Sequence, residues 1–256
     1  MESWARDLYY LIGVILNEIC IIIYHKRRTP MVIETHFQKE LEELKENLLK
    51  MASMVDEAIR DSVQSLVKRD SELAQKTFEL EDRINKMEIT IDDMCLKLLA
   101  LKQPVAVDLR FITSAMKIIT DLERMGDQAV NISERAILLN QEPQLKPYID
   151  IPRMAEIAQS MVKDVLDAFV NRDSKLARSV CQRDDVVDGL NDQVFRELLI
   201  YMMSDPKTIT RAVHLVIVAR CLERIADHAT NIAEDVIFMI EALVIKHHAD
   251  EKKEES

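Results

Sequence analysis

Apolar and polar positions alternate along this chain with a helical period almost throughout. From about His36 to Lys68, Leu41, Leu44, Leu48, Met51, Val55, Ile59, Val63 and Leu66 recur three or four residues apart, the repeat of one helix face. Asp70-Ser71 offers a cap for a second helix, because a short side-chain oxygen there can accept from backbone N–H groups that lack partners inside the helix. That helix carries Leu80, Ile84, Met87, Ile91, Met94, Leu98 and Leu101 and ends at Gln103-Pro104, since proline disfavours helical backbone in the residue before it. A third helix is expected from about 105 to 140, and Pro143, Pro147 and Pro152 mark a linker. The second half repeats the plan. One helix is expected from about 154 to 169, with Asn171-Arg172-Asp173-Ser174 as its turn. Another carries Val187, Leu190, Val194, Leu198 and Tyr201 and stops at Ser204-Asp205-Pro206; the last runs from about 207 to beyond 240.

Three helices joined by short loops pack as antiparallel neighbours. The pattern therefore predicts an all-α protein of two tandem, internally repeated three-helix bundles. The first is expected over 31–142 and the second over 150–247, with a charged tail over 248–256. Residues 1–30 differ from the rest. Leu8 to Tyr24 is apolar apart from Asn17 and Glu18, and His25-Lys26-Arg27-Arg28 follows it. This run is short for a membrane span and lacks the order of a signal peptide. Three readings stay open: a start placed too early with Met31 the true beginning, an interfacial anchor, or a peripheral helix. The first is favoured, so the extension is expected to be dispensable.

A repeat changes the picture from fold to chemistry. Leu122-Glu123-Arg124-Met125-Gly126-Asp127-Gln128-Ala129-Val130-Asn131-Ile132-Ser133-Glu134 is answered by Leu222-Glu223-Arg224-Ile225-Ala226-Asp227-His228-Ala229-Thr230-Asn231-Ile232-Ala233-Glu234, with eight of thirteen positions identical. At about 100° per residue, Glu123, Asp127, Asn131 and Glu134 fall within an arc of roughly 80°. Such a row is ordinarily the solvated side of an amphipathic helix. Two features count against that here. Carboxylates four residues apart repel unless a cation bridges them, and the second copy, Glu223, Asp227, Asn231 and Glu234, keeps the same set.

The preceding helix of each half supplies a matching face: Glu81, Asn85, Glu88 and Asp92 in the first, Asp184, Asp188 and Asn191 in the second. Rows of carboxylate and amide oxygens suit hard cations and iron. A net charge of −11 argues against a nucleic-acid partner and for metal ions or basic surfaces. Cys20, Cys95, Cys181 and Cys221 form no CxxC pair and suit free thiols in a reducing compartment. His228 lies off the acidic arc and reads as solvated or inter-bundle. His214 reads as a core or interface residue, and Arg110 as either a functional cation or half of a structural ion pair.

These stretches, with Leu101-Lys102-Gln103-Pro104-Val105-Ala106-Val107-Asp108-Leu109-Arg110, resemble the PhoU family over about residues 33–245. The resemblance implies a non-enzymatic, cytoplasmic regulator of phosphate uptake and phosphate-responsive signalling. Its implied partners are a phosphate-sensing histidine kinase, the ATPase subunit of a phosphate ABC transporter and a second copy in a homodimer. It implies membrane contact through partners alone. It also implies multinuclear metal clusters of iron, zinc, manganese or magnesium on paired acidic motifs. These map to Glu123/Asp127 and Glu223/Asp227, and on the preceding helices to Glu81/Asn85 and Asp184/Asp188, with Glu134 and Glu234 further along the repeated helices. Asn85 departs from the acidic pattern, so the first site is expected to be the weaker. Two alternatives stand beside this reading: a di-metal carboxylate enzyme on a helical bundle, and a purely structural helical scaffold. The enzyme is disfavoured because bundle enzymes of that kind use Glu-x-x-His, and no histidine here has Glu three residues before it.

Overall fold

A computed structural model of the chain describes residues 36–242. The expectations for residues 1–30 and 248–256 lie outside the described residues. The chain divides at Lys39/Glu40, and the larger unit holds both bundles. In order, the helices are α1 (His36–Lys68), α2 (Ser71–Lys102), α3 (Ala106–Asn140), α4 (Asp150–Asn171), α5 (Ser174–Ser204) and, after a single 3-10 turn at Pro206–Thr208, α6 (Ile209–Glu241). Among the described residues there is no strand, and no helix is long and apolar enough to cross a membrane.

The first corner of each half is built from the same parts. Arg69 and Arg172 adopt left-handed backbone (φ 57° and 53°), which bends the chain out of the preceding helix. The N–H of the next residue, Asp70 or Asp173, closes back onto the carbonyl of Ser65 or Ala168 at 2.9 Å. Each Asp carboxylate then accepts from two N–H groups of the following helix, at 3.0–3.1 Å. Left-handed backbone costs a non-glycine residue roughly 1–2 kcal/mol, and at Arg69 the side chain offsets this. Its Nη2 donates to the carbonyls of Asn140 and Glu142 at the end of α3.

The apolar stripes form the core as their spacing predicts. Leu44, Leu48, Met51, Val55, Ile59, Val63 and Leu66 of α1 are buried, and so are Leu80, Ile84, Ile91 and Leu98 of α2. Leu41, Met87 and Met94 of the same stripes are half-buried, and Leu101 is 75% exposed near the end of α2. The fourth helix also begins earlier than its pattern suggests, at Asp150, with Pro152 inside its first turn. Proline fits there because the first N–H groups of a helix have no internal partner to lose.

The two halves meet along α3 and α6, which run antiparallel. Arg110 Nε donates to the Met239 carbonyl at 3.1 Å, Lys117 pairs with Asp235 at 2.6 Å, and His228 Nδ1 lies 2.9 Å from Asp121 Oδ1. Among the described residues Arg110 makes no ion pair; its guanidinium binds a carbonyl near the end of α6. The sum of each pair's numbers is nearly constant, so an approximate two-fold axis relates the bundles. The connection over 141–149 is held from both sides. Arg211 donates to the Pro143 carbonyl at 2.8 Å, and Lys146, 7% exposed, is ion-paired with Glu197.

Candidate metal centre

Helix α3 buries Leu122, Met125, Ala129, Ile132 and Ala136, which turns Glu123 and Asp127 outward; α6 buries Leu222, Ile225, Ala229, Ile232 and Val236 and does the same with Glu223 and Asp227. Burial class agrees at each position between 121–130 and 221–230, so the two copies occupy equivalent surroundings. Helix α2 packs beside α3, and α5 beside α6. That pairing brings the predicted rows together.

In the first half, Glu123 is held above the ordinary carboxylate range by burial and by the nearby charges of Asp127, Glu88 and Glu81. Glu88 is raised by burial, Asp92 and Asp127. Asn85 sits inside this group and donates from Nδ2 to Glu81 Oε1 at 2.5 Å. Its own Oδ1 is buried without a hydrogen-bond donor. Glu134 stands further along α3, where it pairs with Arg135 (3.6 Å).

The second half is more strained. Asp184 is pushed up to about 6 by burial, then by the charges of Asp227 and Asp188. Asp188 and Glu223 are raised by burial and by Asp227, and Asp227 by burial against the opposing charges of His228 and Arg224. The Thr230 hydroxyl is near enough to ease Asp184 slightly, yet neither it nor Asp184 Oδ1 makes a hydrogen bond of ordinary geometry. Glu234 reaches the same group from the next turn. It acts with burial and Asp184 to push the half-buried Cys181 thiol up to about 11. Sequence reasoning passed over Cys181 as a neighbour of the site, although it lies three residues before Asp184 on one helix face. The thiols of Cys95 and Cys221 are raised to about 12 and about 11, chiefly by burial, so neither is a nucleophile at neutral pH.

These rows have the donor chemistry for a hard cation: oxygen ligands, mutual repulsion that a positive charge relieves, and two buried oxygens lacking donors. Among the described residues, however, no three His, Cys, Asp or Glu side chains are grouped closely enough to hold an ion. A cation at either place would be held by an open set of side chains on two facing helices rather than by a finished cage. Of the other groups singled out, His228 is 9% exposed and Asp121 8%, and their contact is the inter-bundle alternative rather than the solvated one. The two-fold counterpart of this pair is Cys221 with Gln128, also buried, so the link is made on one side of the axis alone. His214 is half-buried, and burial and the Arg135 charge lower its pKa.

Tandem three-helix bundles that meet along their third helices, each presenting a carboxylate row there, define a class of internally repeated all-α proteins. The PhoU domain matches residues 48–136 and again 151–236, and the chain belongs to the PhoU family. It is 49% identical over 217 residues to a phosphate-specific transport system accessory protein PhoU homolog of Aquifex aeolicus, covering 84% of this chain and 98% of that one. To the Pseudomonas aeruginosa homolog it is 42% identical over 216 residues, 84% of this chain and 89% of that one. The crystal structure of PhoU from Pseudomonas aeruginosa superposes with a TM-score of 0.79, covering 81% of this chain and all of that one. That of the phosphate transport system regulatory protein PhoU from Streptococcus pneumoniae gives 0.77 at 30% identity, covering 83% of this chain and all of that one.

Proposed function

We propose that this protein is a cytoplasmic regulator of phosphate uptake that works by contact rather than catalysis. In this reading it docks as a homodimer on the ATPase subunit of the phosphate ABC transporter and on the phosphate-sensing histidine kinase. Divalent or trivalent cations, drawn from iron, zinc, manganese and magnesium, bind between Glu81, Asn85, Glu123 and Asp127 and between Asp184, Asp188, Glu223 and Asp227. Glu134 and Glu234 extend the two sets. Family membership supports the role in phosphate transport. The observation that carries the metal is the Asp184 carboxyl, pushed up to about 6 by burial and then by the charges of Asp227 and Asp188 in a group of four carboxylates. A cleft of about 400 Å³ between α1 and α4, lined by Leu49, Ala52, Asp56, Ser160, Lys163 and Leu166, lies on helices that carry none of these residues. A concave pocket and reactive groups thus do not coincide, as an enzyme would need.

The test is binding of the purified transporter ATPase subunit or sensor kinase, by calorimetry, with metal-loaded and chelated protein. Binding that weakens on chelation is the expected result. Turnover of phosphate esters that survives further purification and is lost in Glu223→Gln would overturn the reading. The lack of a finished cage among the described residues favours one rival, in which the rows are solvated faces of a scaffold. Metal analysis of protein purified in air, without chelator, separates the two.

A further inference from the structure

The seam between α3 and α6 is finished differently at its two ends. The numbers of Arg135 on α3 and His214 on α6 add to the same total as those of Arg110 with Met239 and of Asp121 with His228, so the two stand opposite each other in one register. The Arg135 charge reaches both His214 and Cys221 of α6, which places its guanidinium on the seam. The approximate two-fold axis supplies a comparison. At the other end of the seam Asp235 holds the place of Arg135, and Lys117 that of Ile217. There a lysine of one helix meets a carboxylate of the other at 2.6 Å. Here the carboxylate has become arginine and the lysine isoleucine, and an imidazole faces the guanidinium.

That exchange leaves polar atoms without partners. Arg135 Nε and His214 Nδ1 are both buried, and neither makes a hydrogen bond. Glu134 takes only the Nη2 end of the guanidinium, at 3.6 Å, longer than an ordinary hydrogen bond. An unsatisfied guanidinium facing an unsatisfied imidazole calls for an ordered water or an ion. The Arg135 side chain is 29% exposed and His214 is half-buried, so solvent reaches the gap between them. The guanidinium charge selects an anion, and its planar fork of N–H groups selects an oxyanion. His214 narrows the choice. Burial and the Arg135 charge lower its pKa, so above neutral pH the ring is uncharged and one of its nitrogens is an acceptor. The ligand that suits the pair carries negative oxygens for Arg135 and an O–H for His214. Hydrogenphosphate has both. Sulfate has no proton to give, and a phosphomonoester, with a second pKa of about 6, has lost its own by pH 8.

We propose that this end of the α3/α6 seam binds inorganic phosphate, with Arg135 donating to its oxygens and its P–OH donating to the His214 ring. The ion supplies the negative charge that Asp235 supplies at the other end, and it links the two helices as Lys117 and Asp235 do there. The site is separate from the carboxylate rows and needs no metal.

Equilibrium dialysis with radiolabelled phosphate tests this on the full chain at pH 8, with chelator present. The proteins are wild type, Arg135→Gln, His214→Phe, Lys117→Gln and Asp227→Asn. The expected result is saturable binding that Arg135→Gln weakens at least about 10-fold, the scale of losing a hydrogen bond to a charged group. His214→Phe should weaken it several-fold. Lys117→Gln removes the same charge from the opposite end, and Asp227→Asn alters the acidic row; both should bind as wild type does. Sulfate and glycerol phosphate should compete less well than phosphate. Wild type also gives a reading that needs no variant to fold, because the His214 ring signals in NMR spectra should move with phosphate along the same curve. Chelated wild type that binds no phosphate, ring signals that stay still, or sulfate that competes as well as phosphate would overturn the proposal. Binding kept in Arg135→Gln and lost in Asp227→Asn would overturn it too, by placing the ion on the acidic row.

Discussion

Glu81 with Asn85 and Asp184 with Asp188 occupy the same places in two copies of one bundle, and they solve the same electrostatic problem differently. In the first half an amide donates to the neighbouring carboxylate and takes up part of its charge within the helix. In the second a carboxylate stands where the amide would be, and its charge adds to burial and to Asp227 in pushing the Asp184 carboxyl up to about 6. Like charges about 4 Å apart repel by about 1 kcal/mol in water and by several times that near a protein surface. The repeat thus copies geometry without copying charge. The half that lacks its own donor is the one with most to gain from a cation.

The largest effect should come from removing a carboxylate from the needier half. Asp227→Asn is expected to lower metal affinity at least about 10-fold, the lower end of what loss of even a supporting residue costs a metal site. It should also remove most of the metal-dependent rise in melting temperature, while Asp127→Asn does less. Metal content per chain and paired melts with and without chelator check this. A larger loss from Asp127→Asn would reverse the ranking of the sites.

A smaller effect is expected from making the halves alike. Asn85→Asp removes the donor to Glu81, so the metal-free protein should melt lower and metal should restore more of its stability than in wild type. Differential scanning calorimetry with a chelator and then with added metal measures both changes. A variant whose chelated melt matches wild type would show that the amide does not relieve Glu81.

The smallest effect is a pH dependence with a definite sign. The folded pKa of Asp184, about 6, lies above its ordinary value of 3.8. The native state therefore binds the proton more tightly, and Asp184's contribution improves as pH falls through about 6 and is lost as pH rises through it. Between pH 7 and 4.5, chelated wild type should gain stability relative to Asp184→Asn, a direction that melts of the two proteins at matched pH will read. Equal pH slopes would show that Asp184 is not perturbed.

Much of this architecture is legible in the spacing of Leu44, Leu48, Met51, Val55, Ile59, Val63 and Leu66, because a stripe three and four residues apart has one way to be buried. The corner at Asp70 was equally legible, since capping is a local act. The start of α4 was not: Pro152 carries the same sequence signal in a linker as in a first helical turn. Leu101 reads as a core residue by spacing, yet it is exposed beside Glu40 and Glu43 of α1, near the end of α2. The rows at Glu123 and Asp127 can be read from one helix, but whether Glu88 and Glu81 face them depends on how two helices are rotated against each other. His228 shows the same boundary. Its position on the helix was computable, whereas its partner Asp121 is 107 residues away.

The clasped connection between the bundles has a mechanical consequence. A free segment over 141–149 would act as a tether, setting only how far the bundles could drift and how often they met. Here Arg69 grips the carbonyl of Glu142, Arg211 that of Pro143, and Lys146 is pinned to Glu197. The segment is thus a strut. A force on one bundle reaches the other through charged bonds fixed at several points, and the pair responds to a load as a single stiff beam instead of two beads on a string.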